Sequence, residues 1–366
     1  MFYNICYYTT RIKCEWGNSL KKLSNKQKQF LLAKSKKEMR KRIKKNRQKK
    51  LKIKIENSQE YYKTIKQAYI EKRVKAPIIL SVFDNCSETL GFFAEVSKTI
   101  SSLNVSGKIY FDLSDVEQVS VDAIMYLIAI ITNTKRIRSL KINCAGNIPK
   151  NSEARKTLEN CGFYKYVSPQ YQIKDKSSTD HINITRGKEA DPILSREICD
   201  FVHQHSKNDR ISTKSLYTMI MELMANTKQH AYNGDENMQN NWYVFVEDTS
   251  SFLHFIFLDT GSGIPNTVRK KSLFEKIKNK MNLDDAFFIA EALTGVELRS
   301  ETNLNYRGKG LHEIYNRVLT DYISDFSIIS GFGKCSVSSE GKIEKTKLSS
   351  NLTGTMLCWK LLKKEE

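Results

Sequence analysis

The pattern of apolar and polar positions changes near residue 76, where a polar segment gives way to short apolar runs. From there to about residue 165, runs typical of strands, such as KIYFDLSDVEQVS and LKINCAG, alternate with runs of helical length, such as SETLGFFAEVSKTISSL and DAIMYLIAIITNTKR. Strands that alternate with helices favour an α/β layer of parallel or mixed strands. We therefore predict an α/β domain over residues 76–168, which ends with a helix and a terminal strand in SEARKTLENCGFYKYV.

A polar, turn-rich stretch at residues 166–190 predicts a domain boundary. Beyond it the pattern predicts helices at about 191–207 and 213–232, followed by a hairpin of two apolar strands, WYVFVED and SFLHFIFLD. A glycine turn, DTGSGIP, then leads into a charged segment that runs to about residue 307. A helix from GKGL through Tyr322 and the strands DFSIISGFG and GTMLCWKLL complete the chain. We therefore predict a second domain, of α+β type, over residues 190–366.

The helix predicted at 213–232 has two different faces. At about 100° per residue, Glu222, Asn226 and His230 fall along one edge, which thus carries a carboxylate, an amide and an imidazole. The neighbouring face suits packing on a sheet and holds Leu216, Ile220, Leu223 and Thr227. One helix would therefore serve both the core and a binding site.

Three motifs in this order, ELMANTKQHAY at 222–232, DTGSGIP at 259–265 and GKGL at 308–311, resemble those of the GHKL or Bergerat-fold ATP-binding proteins. The order of the surrounding elements is also similar to that family. The HAY ending makes the anti-sigma-factor kinases the nearest members. The resemblance implies an α/β sandwich over 190–366 that binds ATP and Mg²⁺.

For the first motif, the resemblance implies that Glu222 is the general base for the attacking water. Asn226 would bind Mg²⁺ through its amide oxygen, in a shell completed by water and phosphate oxygens. His230 either contacts phosphate or supports the end of the helix. The alternative for Glu222 and Asn226 is that both are ordinary polar residues on a helix surface.

For the second motif, the resemblance implies that Asp259 accepts a hydrogen bond from the adenine amino group. Gly261 and Gly263 would let the backbone approach the base, and Ile264 completes the motif. Thr355, in GTMLCW, matches a threonine that joins the same adenine and water network.

For the third motif, the backbone amides of Gly308 and Gly310 precede a helix that starts near Leu311, so they could hold phosphates, with Lys309 adding charge. Residues 264–307 would form a lid over the nucleotide. Six Lys or Arg residues between 269 and 280 either contact an anionic ligand in the closed state or are simply solvated.

The first predicted domain resembles the STAS domains of anti-sigma-factor antagonists, on the segment FDLSDVEQVSVDAIMYLIAII. In that family an Asp-Ser-Ser-Gly run precedes the helix. Here the four positions hold Ser120, Val121, Asp122 and Ala123, so Val121 replaces the usual phosphoacceptor serine. We expect this domain to be a fixed docking surface for the ATP-binding domain or for a protein partner.

The formal net charge of +20 is concentrated near the amino end. Residues 21–50 hold fifteen Lys or Arg and one acid, Glu38. Residues 1–75 are therefore expected to be a basic arm, either helical or disordered, that contacts nucleic acid through 21–50. The competing interpretations are that the arm is only solvated or that it docks on an acidic protein.

Other features of the sequence bear on the location of the protein, the state of its cysteines and its oligomeric state. The chain has no apolar run of about 18 residues, and its start lacks the apolar middle segment of a secretory signal, so we expect a cytoplasmic protein without a membrane contact. Eight scattered cysteines form no CxxC pair, which favours buried or incidental thiols over disulfides or zinc ligands. A homodimer is compatible with a switch in which two subunits meet.

Three functions remain open from the sequence. The first is a Mg²⁺-dependent ATPase that hydrolyses ATP slowly and acts as a switch on a partner or a nucleic-acid process. The second is a protein serine kinase of the anti-sigma type, against which Val121 counts. The third is a nucleic-acid-binding scaffold with a non-hydrolysing GHKL fold, against which the intact Glu222 counts.

Overall fold

The structure is a computed structural model that describes residues 24–68, 70–103, 107–167, 180–206, 212–229, 239–269, 283–294, 309–319 and 323–363. The chain divides into two compact units, residues 1–68 and 69–366. In the first unit the described residues form one long helix, α1 (Asn25–Ala68). Its apolar residues Phe30, Met39 and Ile43 are exposed, so this part of the helix covers no apolar core of its own.

The second unit begins with a mixed layer of helices and parallel strands, as the sequence predicts for an α/β layer. Its three-stranded sheet has the order β1-β3-β5, and a separate pair, β2 and β4, is also parallel. In chain order the elements are β1 (Ile70–Lys75), β2 (Ile79–Leu80), α2 (Cys86–Ser102), β3 (Gly107–Asp112), β4 (Gln118–Val119), α3 (Val121–Asn133), α4 (Lys135–Ser139), β5 (Asn143–Gly146), α5 (Ser152–Asn160) and α6 (Phe163–Val167).

Two parts of this layer differ from the sequence expectation. Residues 70–75, assigned to the arm by their lysines and arginine, form β1, because Val74 lies in the core while the charged side chains flank it. The segment FYKYV, expected to be a strand, is the helix α6. Gly162, with φ +84°, turns the chain after α5, and the buried Phe163 then fixes the next turn of helix.

An antiparallel five-stranded sheet follows, with the order β6-β7-β8-β10-β9. The elements are β6 (His181–Gly187), α7 (Pro192–Ser206), α8 (Thr213–Gln229), β7 (Trp242–Asp248), β8 (Phe252–Asp259), α9 (Ile264–Arg269), α10 (Asp285–Thr294), α11 (Lys309–Val318), β9 (Ile323–Val337) and β10 (Ile343–Leu362). The hairpin predicted from WYVFVED and SFLHFIFLD is confirmed as β7 and β8.

The sequence predicted neither the strand β6 nor the helix α10 in this region. The strand β6 lies inside the stretch expected to be a linker; only Ile184 is deeply buried on this edge strand, so its apolar pattern is weak. The charged segment before residue 307 contains the helix α10. Helix α11 ends at Val318, and its predicted end, Tyr322, lies outside the described residues.

The five-stranded sheet is covered on both faces. On β8, Phe255 and Phe257 belong to the core formed with helices α7, α8, α10 and α11, whereas Ile256 and Leu258 belong to the core formed with the first layer. The two predicted domains therefore share an apolar core. In the described parts of the chain, no helix is long and apolar enough to cross a membrane.

Candidate functional site

The carboxyl end of β8 brings two of the predicted residues together. The alternation of side chains along β8 places Asp259 on the same face as Phe255 and Phe257, towards the helices. In the antiparallel pairing of β8 with β10, Thr355 lies directly opposite Asp259. Residues from the middle and the end of the sequence thus meet at one point of the sheet.

The Asp259 carboxyl group is held by the turn that follows it and lies beside α8. The backbone N–H of Gly261 donates to its Oδ1 at 2.9 Å, and the nearby Thr227 hydroxyl donates to the Leu223 carbonyl oxygen at 3.4 Å. Burial raises the pKa of Asp259 to about 6, and the neighbouring polar groups of Gly261 and Thr227 oppose this rise. As the residue remains partly exposed, a donor from a ligand could reach a carboxylate that the protein has already oriented.

The glycine turn leaves little room for a side chain at Gly261 and none at Gly263. A Cβ on Gly261 would lie 3.2 Å from both Asp259 carboxyl oxygens. Gly263 has φ +78°, and a Cβ there would lie 2.8 Å from Ser330 Oγ and 2.9 Å from the Gly354 carbonyl oxygen. The two glycines therefore allow the turn to pass close to the carboxylate and to the neighbouring strands.

Ser330 of β9 holds this turn through hydrogen bonds, a role that the sequence did not indicate. Its hydroxyl accepts from the Ile264 N–H at 3.0 Å, donates to the Gly354 carbonyl at 2.7 Å and lies 3.0 Å from Thr355 Oγ1. A serine within a strand carries no distinctive pattern, because these partners come together only in the folded sheet. Ile264, predicted as part of the site, takes part through its backbone.

Helix α8 carries the first motif beside the carboxylate. Leu223, Met224 and Thr227 are buried against the sheet, whereas Glu222 and Asn226 are half-buried. Asn226 precedes Thr227, which lies near Asp259, and Glu222 lies one turn earlier. His230 lies outside the described residues. The described residues include no group of three or more His, Cys, Asp or Glu side chains that could hold a metal ion.

The third motif lies at the start of α11. Lys309 and Gly310 are its first residues, Leu311 is half-buried, and Gly308 lies outside the described residues. The first amides of a helix have no intrahelical acceptor, so this end can bind anions. His312 Nδ1 lies 3.0 Å from the Leu293 carbonyl oxygen and joins α11 to α10.

A cavity of about 260 Å³ lies beside the glycine turn. Its lining includes Gly261, Ser262 and Pro265 of the turn, Asp285 of α10 and Phe332 of β9, and it does not include Glu222, Asn226, Asp259 or Thr355. Asp285 Oδ2 accepts from the Phe332 N–H at 2.7 Å. This contact ties α10 to the sheet beside the turn.

The loop before α3 holds a second buried carboxylate. Val82 N–H and Ala123 N–H donate to Asp122 Oδ1 at 3.2 and 2.5 Å, and Phe83 N–H donates to Oδ2 at 3.3 Å. Burial raises the pKa of Asp122 to about 6. Val121, which the resemblance to STAS domains would place at the phosphoacceptor position, is buried.

Comparison of the chain with known protein families and with curated protein sequences finds no match to either. Its function must therefore be inferred from its own residues. The structure brings Asp259, Gly261, Gly263, Ile264 and Thr355 together, with α8 beside them.

Proposed function

We propose that the five-stranded sheet and its helices form a GHKL-type domain that binds ATP with Mg²⁺ and hydrolyses it slowly, as a switch. The observation that carries the proposal is the position of Asp259, partly exposed at the end of β8, opposite Thr355 and beside α8. In this proposal the first layer is STAS-like and provides a fixed docking surface.

Asp259 and Thr355 suit the recognition of an adenine edge. The carboxylate accepts a hydrogen bond from an exocyclic amino group, and the threonine hydroxyl can join a water on the same edge. The Gly261 amide keeps the carboxyl group in place before a ligand arrives. A preorganised acceptor of this kind loses little freedom on binding.

Asn226 and Glu222 would act at the phosphate end. Mg²⁺ takes few protein ligands and keeps most of its waters, so a single amide oxygen from Asn226 is compatible with a shell completed by water and phosphate. When bound, the ion would neutralise phosphate charge. Glu222 would accept the proton of the attacking water, and the start of α11 would hold phosphate oxygens.

A kinase of the anti-sigma type remains the second candidate. The motif at 222–232 and the STAS-like layer on the sheet favour it, but the phosphoacceptor position holds the buried Val121. Any phosphorylated serine would then have to lie on another protein.

Calorimetric titration of the full chain with ATP and Mg²⁺ tests the assignment. We expect saturable binding of ATP and weaker binding of GTP, whose base carries a carbonyl oxygen where adenine has its amino group. If neither nucleotide binds to the unmodified protein, both the ATPase and the kinase are excluded.

We further propose that α1 contacts nucleic acid through phosphates. Thirteen of the 21 residues at 34–54 are Lys or Arg, and at about 100° per residue they are distributed all round the helix. Like charges three and four residues apart repel each other, so a polyanion would stabilise this helix. With six to ten phosphates bound, affinity should fall by about three to five orders of magnitude between 50 and 200 mM salt.

The arm is best tested by removing its charge in the full chain. Changing Arg40, Lys41, Arg42, Lys44 and Lys45 to Gln removes five charges while keeping good helix formers. The variant should bind duplex nucleic acid more weakly and with a shallower salt dependence in fluorescence anisotropy. Unchanged affinity would exclude this contact. A truncated protein should begin at residue 69, since β1 belongs to the second unit.

A further inference from the structure

Asn133, the last residue of α3, extends from the first layer to the glycine turn. It is fully buried. Its Nδ2 donates to Thr260 Oγ1 at 3.2 Å, and its Oδ1 accepts from Asn241 Nδ2 at 2.6 Å. Its backbone carbonyl accepts from the Gln239 N–H at 3.1 Å. One amide side chain is thus bonded on both its donor and its acceptor side.

The partners of Asn133 are the two segments that border the proposed nucleotide site. Thr260 directly follows Asp259, and residues 239–241 lead into β7 after the motif helix. These segments are also bonded to each other, since the Thr260 N–H donates to the Asn241 carbonyl at 3.0 Å and the Asn241 N–H donates to Thr260 Oγ1 at 3.0 Å. Asn133 therefore closes a buried polar network around the residue next to Asp259.

We infer that Asn133 is a positioning residue for the nucleotide site, through which the first layer sets the geometry of the turn at Asp259. The inference rests on the proposed function only for its effect on ATP; the hold on the turn is a separate consequence. It also gives the first layer a role beyond docking.

The contact requires a side chain at position 133 that can both donate and accept a hydrogen bond. Aspartate could accept from Asn241 but could not donate to Thr260, and alanine could do neither. Both changes would leave buried polar groups of the turn without a partner, which costs more than the hydrogen bonds themselves contribute. Because the opposite end of α3 is anchored by Asp122 on residues 82 and 83, the helix cannot easily shift to compensate.

Nucleotide binding at the turn and the conformation of α3 should then be coupled, and the coupling free energy is the same in both directions. A nucleotide that orders the turn through Asp259 would also strengthen the contact with Asn133, and a partner that shifts α3 would change nucleotide affinity by the same factor. Amide hydrogen exchange can follow both the turn at Asp259 and α3. Every residue of α3 from Val121 to Ile130 is buried, so a loss of protection there should be measurable.

The test compares Asn133→Ala and Asn133→Asp with Asn147→Ala in the full chain. Asn147 is a matched control because its side chain also donates, to Asp112 Oδ1 at 2.7 Å, and accepts, from the Leu113 N–H at 2.6 Å, within the first layer. We expect the Asn133 variants to weaken ATP binding about tenfold, equivalent to about 1.4 kcal/mol. They should also lose exchange protection in peptides that cover residues 256–264. Asn147→Ala should change neither quantity.

Thr260→Val supplies a second measurement on the same contact. If Asn133 acts through Thr260, the double variant Asn133→Ala with Thr260→Val should bind ATP about as weakly as the single variants. Fully additive losses would overturn the inference, as would unchanged binding in the Asn133 variants.

The hydrogen-exchange data separate this inference from the proposed function. If the unmodified protein binds no ATP, the ATPase proposal fails, but a loss of protection at 256–264 in the Asn133 variants would still establish the hold on the turn. Unchanged protection there would refute that hold, whether or not ATP binds.

Discussion

Asp122, before α3 in the first layer, and Asp259, at the end of β8, are two carboxylates whose pKa burial raises to about 6. Three backbone N–H groups, of Val82, Phe83 and Ala123, donate to Asp122, which is only 4% exposed. Asp259 receives one backbone N–H, that of Gly261, from the described residues and is partly exposed.

The difference shows that a raised pKa does not by itself indicate a site. A carboxylate has room for about four hydrogen bonds, and those of Asp122 are directed into the protein's own backbone. Asp122 therefore stabilises the loop at 81–83, whereas the proposed function gives Asp259 a role in ligand binding.

Glu222→Ala should lower the rate of ATP hydrolysis about 100- to 10,000-fold while leaving ATP affinity nearly unchanged, because a general base acts on the water and not on the bound nucleotide. Single-turnover assays and calorimetry measure the two quantities. Asp122→Asn, assayed well below its melting temperature, should hydrolyse ATP at the normal rate. A loss of rate in Asp122→Asn comparable to that in Glu222→Ala would show that the two regions do not differ in their role in hydrolysis.

Asp259→Asn should weaken ATP binding about ten- to a hundredfold, because hydrogen bonds to charged groups contribute about 1.5–3 kcal/mol. The matched control is Asp325→Asn, since Asp325 is exposed and pairs with Lys360 at 2.7 Å away from the turn. Asp122→Asn should instead lower the melting temperature and change the dissociation constant much less than Asp259→Asn does. Equal affinities for the Asp259 variant and the control would refute the assignment of the adenine contact.

The pH dependence of stability should carry a contribution from Asp122. Its pKa is about 6 in the folded protein against an ordinary value of 3.8, so the folded state holds the proton more tightly. This stabilisation is complete below about pH 4 and is lost as pH rises through about 6, a change of about 3 kcal/mol. The difference in unfolding free energy between the unmodified protein and Asp122→Asn should therefore shrink from pH 4.5 to 7.5 in urea titrations. A difference that grows with pH would contradict the burial of a protonated carboxyl group.

The smallest expected effect concerns the loop itself. After incubation with ATP, mass spectrometry should find no phosphate on residues 115–125, because Val121 has no hydroxyl group and is buried. A peptide with a serine at the matching position of a STAS domain provides the positive control. Stoichiometric phosphorylation of Ser120 would give the loop before α3 a functional role and favour the kinase.

Local sequence patterns correctly predicted the helices and strands whose apolar residues recur at regular short intervals. The 3.6-residue spacing of Leu216, Ile220 and Leu223 predicts α8, and the apolar runs around Asp248–Ser251 predict the hairpin of β7 and β8, both of which the structure contains. Patterns failed where long-range contacts outweigh propensity. The aromatic segment 163–167 is a helix, and the edge strand β6 has only one deeply buried residue to mark it.

The motifs named Asp259 and Thr355 separately, but only the pairing of β8 with β10 placed them opposite each other, 96 residues apart in the chain. Ser330 and Asn133 carry no sequence signal, since an isolated serine or asparagine becomes informative only when its partners are known. Periodicity acts over a few residues, so the sequence determined the helices, the strands and the residue types available for a site. Which of them are buried together depends on packing between distant segments, and the tertiary structure alone decided it.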